Sequence, residues 1–188
     1  NAEPLSAAPA GDQAGEANFS AYDSRAWPRV ESALREARFV IPLGSGLPHI
    51  GGLDALSAQD STWAAKRAEP DLSPSARARK AAGDPYPIAP GIVVIPTAER
   101  APNSQMVYVH FQDGRELLFL GTLSQTARNW RDLRAPSRYL TDIVRTGDRN
   151  EYFAWLETVQ KWKAEQPDLK LVSLARVPQD AGISRYFS

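Results

Sequence analysis

The 188-residue chain has no cysteine, two histidines and a single methionine. Without cysteine no disulfide forms, and no thiolate is present to act as a nucleophile or soft metal ligand. Histidine occurs only at His49 and His110. A catalytic zinc takes about three nitrogen, oxygen or sulfur ligands and keeps one position open for water, so one chain of this composition is a poor host for it. Charge of one sign is not in excess either, because 22 Lys and Arg offset 22 Asp and Glu. No net field therefore steers the chain towards nucleic acid or an anionic membrane surface, and neither is expected as a partner. No stretch approaches the roughly 20 apolar residues of a membrane helix. A calcium loop of the D-x-D-x-D-G type is missing, as is a nucleophile elbow of the G-x-S-x-G type.

With 43% apolar residues the chain can bury one sizeable core, and one domain is the natural reading. Residues 1–20 are rich in Ala, Gly, Glu and Pro and are expected to be a disordered or draped tail, leaving 21–188 as the single domain. A start at Asn1 rather than Met fits a processed chain, so a periplasmic or secreted location is expected over a cytoplasmic one.

The hydropathy pattern alternates between helical and strand periods. A helix capped by Asp23 or Ser24 is predicted from Trp27, Val30, Ala33, Leu34 and Ala37. Phe39 to Ile41 reads as a short buried strand, and 53–80 as helical in part. Three prolines at 85, 87 and 90 predict a loop over 83–90. Ile92 to Ile95 predicts a buried strand, and 106–112 a strand of alternating exposure. Asp113-Gly114 predicts a two-residue type I′ hairpin turn, with positive φ at both positions. The return strand, 115–120, is apolar on both faces at its end and is expected to be central. A helix over 137–144 is followed by a stronger one, capped by Asp148 or Asn150, whose stripe is Tyr152, Leu156, Val159 and Trp162. A strand over 169–174 follows Pro167-Asp168. The class is α/β.

Few residues carry chemistry. Gly44-Ser45-Gly46 offers backbone N–H groups in a strand-to-helix turn but has neither phosphate-loop spacing, which favours a plain tight turn. His49 is most simply a hydrogen-bonded turn residue, and Ser45 with His49 lacks an orienting acid for nucleophilic catalysis. Trp130, between Arg128 and Arg131, is the one candidate stacking platform among the five tryptophans.

Two segments nevertheless share a frame. Ile41-Pro42-Leu43-Gly44-Ser45-Gly46-Leu47-Pro48-His49-Ile50-Gly51-Gly52-Leu53 resembles the T-H-x-H-x-D-H-x-G-G-L signature of the metallo-β-lactamase superfamily. Gly44, Gly46 and Pro48 stand where two His and an Asp would be, and only His49 matches. Gly91 to Gln105 is similar to the family's strand and G-H-T-P-G-S-Q turn, with Arg100 in place of its His. Phe119-Leu120-Gly121-Thr122 puts Thr122 where the metal-bridging Asp would be. Asn129, Pro136-Ser137-Arg138 and Asp142 resemble the segment that follows, and Val177-Pro178-Gln179-Asp180 the late V-P-x-H-D strand end, with Gln179 for His.

The resemblance implies a truncated or trimmed αββα sandwich whose metal site has been lost. No metal and no cofactor are expected, since Arg100 puts a permanent cation where a dication would sit. The vestigial pocket would be lined by Gly44, Ser45, Gly46, His49, Arg100, Thr122, Gln179 and Asp180, with Arg100 paired to Asp180 or Asp54. The expected role is a non-catalytic binding or assembly module for an anionic small molecule. The alternatives are a residual hydrolase of an ester, lactone or β-lactam, and a structural subunit. Only about forty residues precede Gly44, too few for the family's first sheet. An uncovered sheet face is a pairing liability, so a homodimer or another protein partner is expected to cover it.

Overall fold

The structure is a computed structural model, and it describes residues 27–38, 40–44, 71–97, 104–135 and 149–173. Two compact units are present, residues 1–36 and 37–188. The first contains helix α1 (Trp27–Glu36). Glu31 and Arg35, one turn apart, form an ion pair of 2.6 Å along it, and Ser32 donates to Glu36. Both capping candidates for α1, Asp23 and Ser24, lie outside the described residues, as does the 1–20 tail.

The second unit is α/β and is built on a five-stranded mixed sheet of order β1-β2-β3-β4-β5. Its strands are β1 (Tyr86–Ala89), β2 (Ile92–Pro96), β3 (Gln105–His110), β4 (Glu116–Phe119) and β5 (Lys170–Val172). The first four run antiparallel as a meander, and β5 pairs with β4 in parallel. A parallel return needs a crossover, which carries the short helix α3 (Ala127–Arg131) and the 17-residue helix α4 (Arg149–Glu165). Helix α2 (Pro74–Ala82) precedes the sheet, capped by the Ser73 hydroxyl, which accepts from the Ala76 N–H at 3.2 Å.

Period-2 alternation sorts the apolar side chains onto two faces. On one, Ile95, Met106, Leu118 and Leu171 pack with Tyr152, Leu156 and Val159 of α4. Each of these three helix residues is buried and contributes about 2 kcal/mol through the area it removes from water. On the other face Tyr86, Val94 and Val107 pack with Leu72 and Ala76 at the start of α2, joined by Ile41 and Leu43. Ile88, Ile92, Val109 and Phe119 on that second face remain half-buried. Among the described residues no helix is long and apolar enough to cross a membrane.

Four local expectations are corrected. The proline-rich segment is not a loop: β1 pairs with β2, Tyr86 opposite Val94 and Pro87 opposite Val93. On an edge strand, alternate N–H groups point away from the sheet, so a proline there forfeits no ladder bond. The hairpin turn has three residues rather than two. Phe111 N–H donates to the Arg115 carbonyl and Gly114 N–H to the Phe111 carbonyl, and only Gly114 has positive φ, at 83°. That is a type I turn closed by a left-handed glycine, the alternative that Asp-Gly also satisfies. Of the strand expected over Phe39 to Ile41, Phe39 lies outside the described residues, and Val40 and Ile41 join no ladder, with Pro42 after them lacking the N–H that a ladder requires. Asn150 lies inside α4 rather than at its cap; Asp148 and the helix expected over 137–144 lie outside the described residues.

Candidate functional site

The polar interior is concentrated at one end of the sheet. The four buried polar side chains among the described residues are Thr97, Ser104, Ser124 and Ser173. Thr97 follows β2, Ser104 precedes β3, Ser124 follows the turn after β4, and Ser173 follows β5. Thr122 lies with them: its hydroxyl is hydrogen-bonded to that of Ser104. The Ser124 hydroxyl donates to the Thr126 carbonyl at 2.7 Å and lies 3.3 Å from that of Ser173. Among the described residues this cluster contains hydroxyls alone, with no ionisable side chain.

Close backbone packing brings these residues together. Gln105 is the anchor: its N–H donates to the Leu43 carbonyl at 3.3 Å, and its side-chain amide to the Pro42 carbonyl at 2.6 Å. Gly121 fits beside this pair with φ of +53°. A Cβ there would stand 2.7 Å from the Gln105 carbonyl oxygen and 3.0 Å from the Leu43 Cβ. Only glycine meets both the left-handed backbone and the close approach. The turn after it is held from two sides, by Leu120 N–H on the Val172 carbonyl and the Tyr152 hydroxyl on the Leu123 carbonyl, each at 2.9 Å. Thr97 N–H donates to the Ser104 carbonyl at 2.9 Å, closing the base of the β2–β3 connection.

One group at this end is unsatisfied. The Thr97 Oγ1 is buried and has no hydrogen-bond partner, an arrangement that carries a desolvation cost of about 1–3 kcal/mol. What the arrangement can do chemically is bounded by its atoms. Hydroxyls donate and accept hydrogen bonds, and among the described residues no basic side chain is hydrogen-bonded to these to make one a nucleophile. His110 lies at the opposite end of β3, about 17 Å away by strand rise. Among the described residues no group of three or more His, Cys, Asp or Glu could hold a metal ion.

Of the eight pocket residues expected from sequence, the structure describes Gly44 and Thr122, and places both at this end, beside Leu43 and Ser104 respectively. Ser45, Gly46, His49, Arg100, Gln179 and Asp180 lie outside the described residues, as do Asp54 and the segment 136–142. Sequence reasoning missed Thr97, Ser124 and Ser173, and gave Gln105 no role. The available signal was a small polar residue directly after β2 and β5, and another directly before β3. The Trp130 platform is taken: the Arg131 guanidinium lies over its ring at 5.5 Å. The indole Nε1 is buried without a hydrogen-bond partner. Asn129 ties α3 together, accepting from Thr126 N–H at 2.9 Å and donating to the Arg134 carbonyl at 2.8 Å.

The opposite end of the sheet carries charge instead. A cleft of about 290 Å³ opens there among Asp113, Arg115, Glu116, Asp168 and Lys170. Hydrogen bonds from the Arg115 backbone N–H (3.1 Å) and guanidinium (2.7 Å) hold the Asp113 carboxyl below the usual carboxylate range. Beside it the Tyr108 hydroxyl donates to Glu116 at 2.6 Å. Burial first, then that hydrogen bond and the carboxylate charge, push the Tyr108 pKa up to about 12.

In comparisons with known proteins, no family model, no curated protein and no solved structure matches the chain.

Proposed function

We propose that this chain is a degenerate relative of the metallo-β-lactamase superfamily, acting as a non-catalytic binding or assembly module. The observation that carries the reading is the hydroxyl pair Ser104–Thr122. Thr122 stands where the superfamily's bridging Asp would be, and its oxygen is committed to a neutral neighbour. The meander, its parallel fifth strand and the crossover helix accord with the C-terminal half of such a sandwich.

The residues do not fit the superfamily's dication. Gly44 has no side chain, and Thr122 offers a neutral hydroxyl already hydrogen-bonded to Ser104, whereas zinc takes imidazole, thiolate or carboxylate. No catalytic step is therefore routed through a metal. The chemistry left to the proposed site is recognition, with Arg100, assigned from the sequence frame, as the cation for an anionic small molecule.

The test is a pair of assays on the intact protein. Turnover of a chromogenic β-lactam and an aryl ester, with and without zinc, is expected to stay at the buffer rate. Binding of a carboxylate ligand, read by calorimetry, is expected to vanish in Arg100→Ala. Zinc-stimulated turnover would replace this reading with a hydrolase, and unchanged anion affinity in Arg100→Ala would remove that residue's role.

A further inference from the structure

The turn between β3 and β4 contains the chain's one Asp-Gly sequence, Asp113-Gly114. Such a pair carries a chemistry of its own. Glycine has no Cβ to hinder its amide nitrogen, which can attack the side-chain carboxyl of the residue before it. The Gly114 nitrogen bonds to Cγ of Asp113, a C–O bond of the carboxyl breaks, and its hydroxyl leaves with the amide proton as water. The product is a five-membered succinimide. Water adding back at the main-chain carbonyl yields isoaspartate, with the backbone rerouted through the side chain and no net change in mass. One extra methylene then stands in the turn, at odds with the bond from the Phe111 N–H to the Arg115 carbonyl at 2.8 Å.

Each requirement of that reaction is opposed by the turn. The Gly114 N–H donates to the Phe111 carbonyl at 3.0 Å, which holds the attacking nitrogen in place. Asp113 is the third residue of a type I turn, where ψ is about 0°, and the ring closes roughly 120° away from that value. Attack also needs the neutral acid, since its hydroxyl is the leaving group. Both carboxyl oxygens are instead held in the charged form by one neighbour. The Arg115 backbone N–H donates to Oδ1 at 3.1 Å, and the Arg115 guanidinium to Oδ2 at 2.7 Å. These bonds keep the Asp113 carboxyl below the usual carboxylate range, so less of the reactive acid is present. The guanidinium is itself set over the Phe111 ring, 5.0 Å from its centroid. We propose that Asp113-Gly114 is a latent isoaspartate site and that Arg115 is the residue guarding it. Arg115 acts through the Asp113 carboxyl and is a positioning residue.

The test incubates the intact protein at neutral pH and follows isoaspartate at Asp113 by chromatography of its proteolytic peptides. A synthetic peptide spanning residues 108–119 is the unguarded reference. The folded chain is expected to isomerise about tenfold more slowly than the peptide. Arg115→Ala is expected to speed the reaction of the folded chain about two- to fivefold. Arg115→Lys keeps the cation and is expected to recover part of the protection. Hydrogen exchange of the Gly114 amide separates guarding from a general loosening of the turn, and is expected to keep the parent rate in Arg115→Ala. Equal rates in folded chain and peptide, an unchanged rate in Arg115→Ala, or Gly114 exchange that rises in step with isomerisation would each overturn the proposal.

Discussion

The two ends of the sheet solve opposite problems. At the β2/β4/β5 end, polar groups are buried and every one is neutral: Thr97, Ser104, Ser124 and Ser173. At the hairpin end, the groups are ionisable but stand open to water, as with Asp113 and Arg115, each about half exposed. A catalytic centre gains from both properties in one place, since desolvation strengthens the field of an ionisable group and enlarges its pKa shift. Among the described residues this sheet separates them: the buried end packs neutral hydroxyls, and the charged end is solvated and screened. The nearest approach to a functional pKa, on Tyr108, is raised away from neutrality rather than towards it.

Substitutions at matched positions sharpen this contrast. The largest effect is expected from Gly121→Ala, where a left-handed φ and a carbonyl oxygen 2.7 Å from the new Cβ act together. We expect a loss of about 3 kcal/mol in urea unfolding. Gly114→Ala, at the charged end, has a similar φ of +83° but nothing within 4 Å, and is expected to cost about 1 kcal/mol. Equal losses would mean that the close approach of Leu43, Gln105 and Gly121 is not maintained in solution.

Next in size is the hydroxyl cluster. Ser104→Ala strands the Thr122 hydroxyl and is expected to cost about 1–2 kcal/mol. Thr97→Val replaces an unpartnered buried oxygen with a methyl of similar shape, and is expected to stabilise by about 1 kcal/mol. A destabilising Thr97→Val in the same unfolding series would show that Oγ1 has a partner in solution.

The smallest effect concerns pH. The Tyr108 pKa is higher in the folded chain than the ordinary value of 10.0. Its contribution is therefore fully present below pH 10, and is lost as pH rises from there through about 12. Urea midpoints measured over that window should fall less steeply in Tyr108→Phe than in the parent chain. Identical slopes would remove the Tyr108–Glu116 hydrogen bond from the account.

Much of the sheet was legible because period-2 patterning is a strong local signal. The continuous apolar run Ile92–Ile95 and the alternation after Met106 each gave a strand, and the doubly apolar β4 is interior as expected. The core stripe of α4 was equally plain in Tyr152, Leu156 and Val159. Failures came where tertiary context overrides local rule. Proline at position 87 argued against a strand, but propensity cannot say which strand is at an edge. Asp113-Gly114 is compatible with two turn types that differ by one residue, and ladder register chooses between them. The hydroxyl cluster was hidden because serine and threonine are ordinary loop residues until four strand ends converge. Thr122 and Gly44 were reached only through a motif frame, not through any chemistry of their own.

Under the proposed superfamily frame, neither Gly44 nor Thr122, the two frame positions among the described residues, offers a metal a charged ligand. The most direct measurement is metal content by plasma mass spectrometry on protein purified without chelators, followed by calorimetric titration of zinc. The account predicts no bound metal and no binding heat. Stoichiometric zinc, retained through purification or taken up with saturable heat, would contradict it and send the same protein to hydrolase assays.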